Sequence, residues 1–285
     1  VTGDADDRAA SGARPMTGEV RVEQADTITK LVERHSGAVV ISGSHGGVYA
    51  GYCAARGGVR AVILNDAGVG KDRAGIGSLD YLDALGMPAA TVDHASAGIA
   101  NATEMAARGR ISFVNARAAA LGCTPGQTTA ACAAMMARAA QWSADVPAYA
   151  EARFVILAAN GGPEVVGCDS ASLLDAGDDG CIVITGSHGG LLNGRPDGAI
   201  APQLKAVTFC DAGGGRNGAG FARLPTLDTR GIAAATVAAD SARIGDARSC
   251  YEDGRISHLN ETAAAMGCTV GASVRQFVDR LRQTG

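Results

Sequence analysis

Residues 180–215 read GCIVITGSHGGLLNGRPDGAIAPQLKAVTFCDAGGG. The two apolar runs CIVIT and AVTFC predict strands buried on both faces. Each stops at a burst of small and polar residues: Gly186-Ser187-His188-Gly189-Gly190 after the first, Asp211-Ala212-Gly213-Gly214-Gly215 after the second. Open α/β sheets bind ligands outside the carboxyl ends of their strands, so these glycine-rich turns are where a site is expected.

The same unit occurs once more upstream. AVVISGSHGG (Ala38 to Gly47) and RAVILNDAGVG (Arg60 to Gly70) repeat the pattern, and from the second strand on the halves align at a constant offset of 145 residues. Asp66 falls on Asp211, Gly86 on Gly231 and Asn115 on Asn260. Before that strand the offset is 143, as between His45 and His188. A period this long is that of an internal duplication, not of stacked short repeats. The reading is an α/β chain of two similar βα-repeat halves, mainly parallel in their strands, with helices on the sheet faces and an approximate two-fold axis between them. The expected division is a leader over 1–16, a first repeat over 17–150 and a second over 151–285. Two lobes with a cleft between them are favoured over one continuous sheet.

Within each half the spacing predicts further elements. Asp26 is placed as the N-cap of a helix running through Val32, and Arg110 to Leu121 is read as helical, as are Thr128 to Trp142 and Ser273 to Arg282. Ser78 opens a short helix that Gly86 stops.

Composition narrows the function. Hydrophobic residues make up 47% of the 285 and aromatics only 4%, so the core is built from aliphatic side chains. A net charge of −4 with acids and bases interspersed argues against a nucleic-acid surface or an anionic membrane. No apolar run has the length of a membrane span, and no signal-peptide core is evident, which makes the cytoplasm the expected location. The eight cysteines are dispersed without CxxC spacing and read as reduced. A small-molecule partner is expected, and homo-oligomerisation is left open.

Chemistry is sought at the strand ends. His45 with Asp66, and His188 with Asp211, are expected to pair, because a carboxylate beside an imidazole sets its tautomer and basicity. The competing structural account is that Ser, His and Asp satisfy backbone groups in tight turns. The halves differ where Asn65 is replaced by Cys210, 22 residues after His188. A thiol beside a histidine can ionise, and Gly189, Gly190, Gly213 and Gly214 offer backbone N–H groups to an oxyanion. Ser44, Ser187, His94, Arg110 and Arg255 are candidate substrate contacts. His45, His94, Asp66 and Asp93 together form a weak candidate set for a divalent metal, without a recognisable ligand spacing. No nucleotide motif is complete, and no cofactor is expected.

This strand-end His-Gly followed by a strand-end Cys resembles the caspase-like cysteine peptidases. The resemblance covers this segment alone. Phe209 stands where a small residue is usual and the first half lacks the Cys, so the family's activity is not carried over. The leading expectation is a hydrolase of an amide, lactam, imide or ester bond with Cys210 as nucleophile and His188 as base. The alternatives are a racemase or isomerase using groups from both halves, and a non-catalytic binder of an anion or metabolite.

Overall fold

The computed structural model describes residues 20–196 and 200–283. The expected leader over 1–16 lies outside them. The chain forms two separate sheets, one of five strands and one of six, rather than one continuous sheet. The first runs β1 (Val22–Ala25), β2 (Val39–His45), β3 (Ala61–Asn65), β4 (Ala89–Val92) and β5 (Ile111–Val114), in that spatial order. Strands β1 to β4 are parallel neighbours and β5 closes the edge antiparallel. The second sheet comprises β6 (Arg153–Leu157), β7 (Val165–Cys168), β8 (Ile182–His188), β9 (Ala206–Cys210), β10 (Ala233–Val237) and β11 (Ile256–Leu259). Its four central strands are parallel, and an antiparallel strand lies at each edge.

The strands are apolar without interruption because both faces are covered. In the first sheet Val39, Ile41, Ile63 and Val92 face one side. There they meet α3 (Ala102–Arg108), α4 (Ala116–Ala120) and α5 (Thr129–Met136). Val40, Val62 and Leu64 face the other, against α1 (Val48–Arg56) and α2 (Ser78–Ala84). Fully burying a side chain such as Ile63 or Leu64 contributes roughly 1.5–3 kcal/mol. The second sheet packs in the same way against α6 (Arg223–Asp228) on one face, and on the other against α7 (Ala247–Asp253), α8 (Glu261–Ala265) and α9 (Val274–Gln283).

Four expectations are corrected here, the first being the helix read over Thr128 to Trp142, which ends at Met136. No α-helix follows Asp26; the chain makes 3-10 turns at Ile28–Lys30 and Glu33–His35, and the Asp26 carboxylate accepts the Ala102 N–H instead. Residues 110–121 are not one helix. Ile111–Val114 is strand β5, because Thr91 and Ser112 bond across the edge of β4, and only Ala116–Ala120 is helical. Among the described residues, helix α1 has no counterpart after β8, where the chain makes a 3-10 turn at Leu192–Gly194. That is the segment in which the offset between the halves changes from 143 to 145 residues.

The sheets meet at the turns that follow β3 and β9. A Cβ placed on Gly68 would stand 2.7 Å from Gly213 Cα, and one on Gly213 would stand 2.8 Å from Gly68 Cα. Both glycines have φ near +70°, so two requirements converge on the absence of a side chain. Corresponding hydrogen bonds flank this contact: Lys71 N–H donates to Ala239 O, and Arg216 N–H to His94 O, each at 2.8 Å. Ala67, Ile99, Cys210, Ala212, Ala239 and Ile244 form an apolar cluster shared by the two halves.

Candidate functional site

Strands β2 and β8 end in His45 and His188, and the two rings stand edge to face with centroids 6.4 Å apart. The turn that follows each strand explains how each ring is held. The Gly47 N–H donates to His45 Nδ1 and the Gly190 N–H donates to His188 Nδ1, both at 3.1 Å. A ring nitrogen that accepts from a backbone amide cannot carry a proton, so each neutral imidazole has its hydrogen on Nε2. Burial pushes His45 down to about 4, and burial, then Arg223 and His45, push His188 well below the ordinary histidine range. Both rings are therefore neutral hydrogen-bond donors near pH 7, not cations. His45 also reaches the other half, since a Cβ on Gly245 would lie 3.5 Å from its Cε1.

These rings line a cavity of about 370 Å³. Ser44 and Ser187 line it as well, their hydroxyls accepting the N–H groups of Ile28 and Ala171. Corresponding residues thus face one another across much of the wall. The match breaks most where Tyr49 corresponds to Leu192 in sequence, Lys30 to Leu173 and Arg223 to Ser78, the last two counterparts lying outside the cavity wall. Glu151, just ahead of β6, completes the wall. Burial raises its carboxyl, and hydrogen bonds from Tyr49 and Ser170 only partly offset this, leaving it at about 7.

The remaining candidates fall elsewhere. Asp66 does not pair with His45. Its Oδ1 accepts from His94 Nδ1 at 2.8 Å and from the backbone N–H groups of His94 and Gly68. The hydrogen bond to Asp66 raises His94, and the same contact holds Asp66 below its usual value against the opposing pull of burial. Asp211 does not pair with His188, because its carboxylate accepts the Gly213 and Ala239 N–H groups. The glycine amides expected to hold an oxyanion are used within the turns. Gly189 N–H bonds to Cys210 O, Gly190 to the His188 ring, Gly213 to the Asp211 carboxylate and Gly214 to Asp211 O.

Arg110 and Arg255 are exposed, and each donates its backbone N–H to a serine, Ser96 or Ser241. Asn115 and Asn260 cap α4 and α8 while bonding the chain ahead of β4 and β10. Through these bonds all four brace turns of the fold. Of the weak metal set, Asp66, Asp93 and His94 have ligand atoms within 4.8 Å of one another, whereas His45 is not in that group. Within the trio His94 is hydrogen-bonded to Asp66, and the Asp93 carboxylate approaches His94 Nδ1 at 3.4 Å.

Cys210 is the largest departure from expectation. Its backbone is in register with His188, but its side chain packs among Ala67, Ile99, Ala212, Ala239 and Ile244. It is 1% exposed, and burial pushes its thiol up to about 12. Asn65 at the corresponding position bonds its own turn and Ala97 O, which shows what the site does in the fold. A thiol so placed is not a thiolate at neutral pH. Folded protein is expected to leave Cys210 unlabelled by iodoacetamide, as read by peptide mass, and Cys210→Ala to cost roughly 1 kcal/mol of stability.

The histidine pair predicts an acid limb in stability. In the unfolded chain both rings protonate near 6.5, whereas in the fold they stay neutral to lower pH. The unfolded state therefore binds more protons over that interval, and stability is lost as pH falls from about 6.5 towards 4. Melting temperature measured across this range should fall in the native protein and fall less in the double variant His45→Gln, His188→Gln.

Two residues of the wall escaped the reading of the strand ends. Arg223 carried the signal that singled out Cys210, a difference between the halves at constant offset. Glu151, just ahead of β6 at the start of the second repeat, had no such signal. Together these features define an α/β protein with a ligand-sized cavity at the carboxyl ends of corresponding strands. Comparison of the chain with protein-family models, curated proteins and solved structures gives no match. No helix among the described residues is long and apolar enough to cross a membrane.

Proposed function

We propose that the protein is a cytoplasmic enzyme of small-molecule metabolism that moves protons beside a carbonyl group, in the isomerase or racemase class. The observation that carries this reading is the convergence of two neutral imidazoles, one from each half, on a cavity that also holds a carboxyl poised near pH 7. The halves are taken as copies of one unit related by an approximate two-fold axis, so that His45 and His188 act as a matched pair.

In the proposed reaction the Nε2–H groups of His45 and His188 donate to the substrate carbonyl oxygen. The Glu151 carboxylate takes the proton from the adjacent carbon. The C–H electron pair becomes the C=C bond of an enolate, and the carbonyl π pair moves to the oxygen held by the two donors. Racemisation is completed when the enolate turns its other face to Glu151 and takes the proton back at the same carbon. Where that carbon carries a hydroxyl, the hydroxyl proton passes to the oxygen held by the histidines while Glu151 returns its proton to the former carbonyl carbon, which moves the carbonyl group by one position. Neutral imidazole serves as such an electrophile because it stabilises developing charge without having to be protonated first. A carboxyl near 7 is matched to proton abstraction at neutral pH.

A second reading keeps the hydrolase class without the cysteine. Twin donors on one oxygen serve a tetrahedral oxyanion as well as an enolate, with water activated by Glu151 as the nucleophile. Incubation in D₂O with small carbonyl acids and their amides, followed by proton NMR, separates the cases. Loss of the α-proton signal without cleavage is the expected result. Cleavage without exchange favours hydrolysis, and ligand stabilisation with neither leaves a binding protein.

A further inference from the structure

Arg223 occupies the position that Ser78 holds in the first half, at the start of α6, and its side chain is almost fully buried. Its Nε donates to Gly190 O at 2.9 Å, and its guanidinium lies 5.0 Å from the centroid of the Phe209 ring. No carboxylate pairs with it among the described residues, and its Nη1 has no hydrogen-bond partner. Buried guanidinium groups are ordinarily paired, since an uncompensated charge in the interior is costly. Here burial without a counter-charge lowers the group to about 10, which still leaves it cationic at neutral pH. The Gly190 whose carbonyl it holds is also the donor to His188 Nδ1, so the charge is tied to the turn that orients that ring.

Resting on the proton-transfer reading of the same cavity, we infer that its ligand is a small carboxylate, bound by Arg223 through the guanidinium edge left free by Gly190. A planar fork matches the two oxygens of a carboxylate or of a phosphoryl group. The charge around the cavity selects between them. Arg223 and Lys30 are the cations of the wall, and Asp169 and Glu151 face them as acids. A monoanion suits that balance, whereas a dianionic phosphate would meet two acidic groups. The Asp169 carboxylate is occupied by the backbone N–H groups of Ala152 and Ala247 and is not a partner for Arg223. The volume of about 370 Å³ accommodates a compact metabolite, with its carboxylate at Arg223 and its carbonyl at the histidines.

The test is calorimetric titration of the full chain with malonate, pyruvate, inorganic phosphate and the neutral malonamide. The proteins compared are native, Arg223→Met and Arg223→Gln. The native protein is expected to bind at least one of the two carboxylates. Both variants should weaken that binding by about 30-fold or more, the usual consequence of removing one partner of a buried charged pair. Arg223→Met should also melt no lower than native without ligand, because it removes an unpaired charge. Arg223→Gln supplies the comparison if the methionine variant does not fold.

Undiminished carboxylate affinity in the folded variants, tighter binding of phosphate, or no carboxylate binding by the native protein would overturn the assignment. The two readings fail separately. Arg223-dependent carboxylate binding with no solvent exchange removes the proton-transfer reaction and leaves the anion site. Exchange into a neutral amide at an Arg223-independent rate does the reverse.

Discussion

Exchange of His45 or His188 for phenylalanine is expected to slow solvent-deuterium incorporation by about 10²–10³-fold, with a smaller change in KM, because each ring supplies a hydrogen bond that strengthens as charge develops on the substrate oxygen. Phenylalanine keeps much of the ring volume and removes the Nε2–H donor. It also leaves the Gly47 or Gly190 N–H without its Nδ1 acceptor, so each variant should lose some thermal stability. Equal losses from the two single variants would mean that the rings share one oxygen. A large loss from one alone would mean that the corresponding positions have diverged in role. Rates are read by NMR under saturating substrate, and an unchanged rate in both variants would sink the proposed reaction.

Glu151→Gln should reduce the same rate by about 10²–10⁴-fold, the range for a positioned general base. Its pH dependence is the sharper signature. The base must be ionised to act, so the native rate should rise with pH through about 7, and this limb should vanish in the variant. Stability runs the other way. A carboxyl raised from 4.5 to about 7 in the fold binds more protons than in the unfolded chain over that interval, so stability is lost as pH rises from 4.5 to 7. Over the same interval this opposes the loss from the histidine pair, so Glu151→Gln should steepen the fall of melting temperature on acidification. Melting curves and rate profiles collected over the same pH series check both signs on one preparation.

The sheets could be read from sequence because an uninterrupted run such as CIVIT has few places to go other than a strand covered on both faces. The constant offset between Asp66 and Asp211 likewise marked which turns correspond. Short elements were less legible. Arg110 to Leu121 is rich in alanine and scans as helix, yet the edge bond between Thr91 and Ser112 draws its first residues into β5.

The candidate site was half visible. Strand ends carrying His45 and His188 could be named, but nothing in their spacing says that the two rings meet across the halves. Each histidine was expected to seek the nearest strand-end aspartate of its own repeat. In the fold those aspartates are consumed by the N–H groups of their own turns and of the following strand's end, and the rings are satisfied by glycine amides two residues on. Cys210 misled for a related reason. A substitution of Asn65 by cysteine suggests chemistry when read as a line of letters, whereas in three dimensions it exchanges a turn-bracing amide for an apolar filler.

The contact of Gly68 with Gly213 has a consequence for traffic. Two backbones pressed together without side chains, and fastened on either side by amide-to-carbonyl bonds, tie the halves at this point, so any ligand exchange that drew the halves apart here would first have to break those bonds.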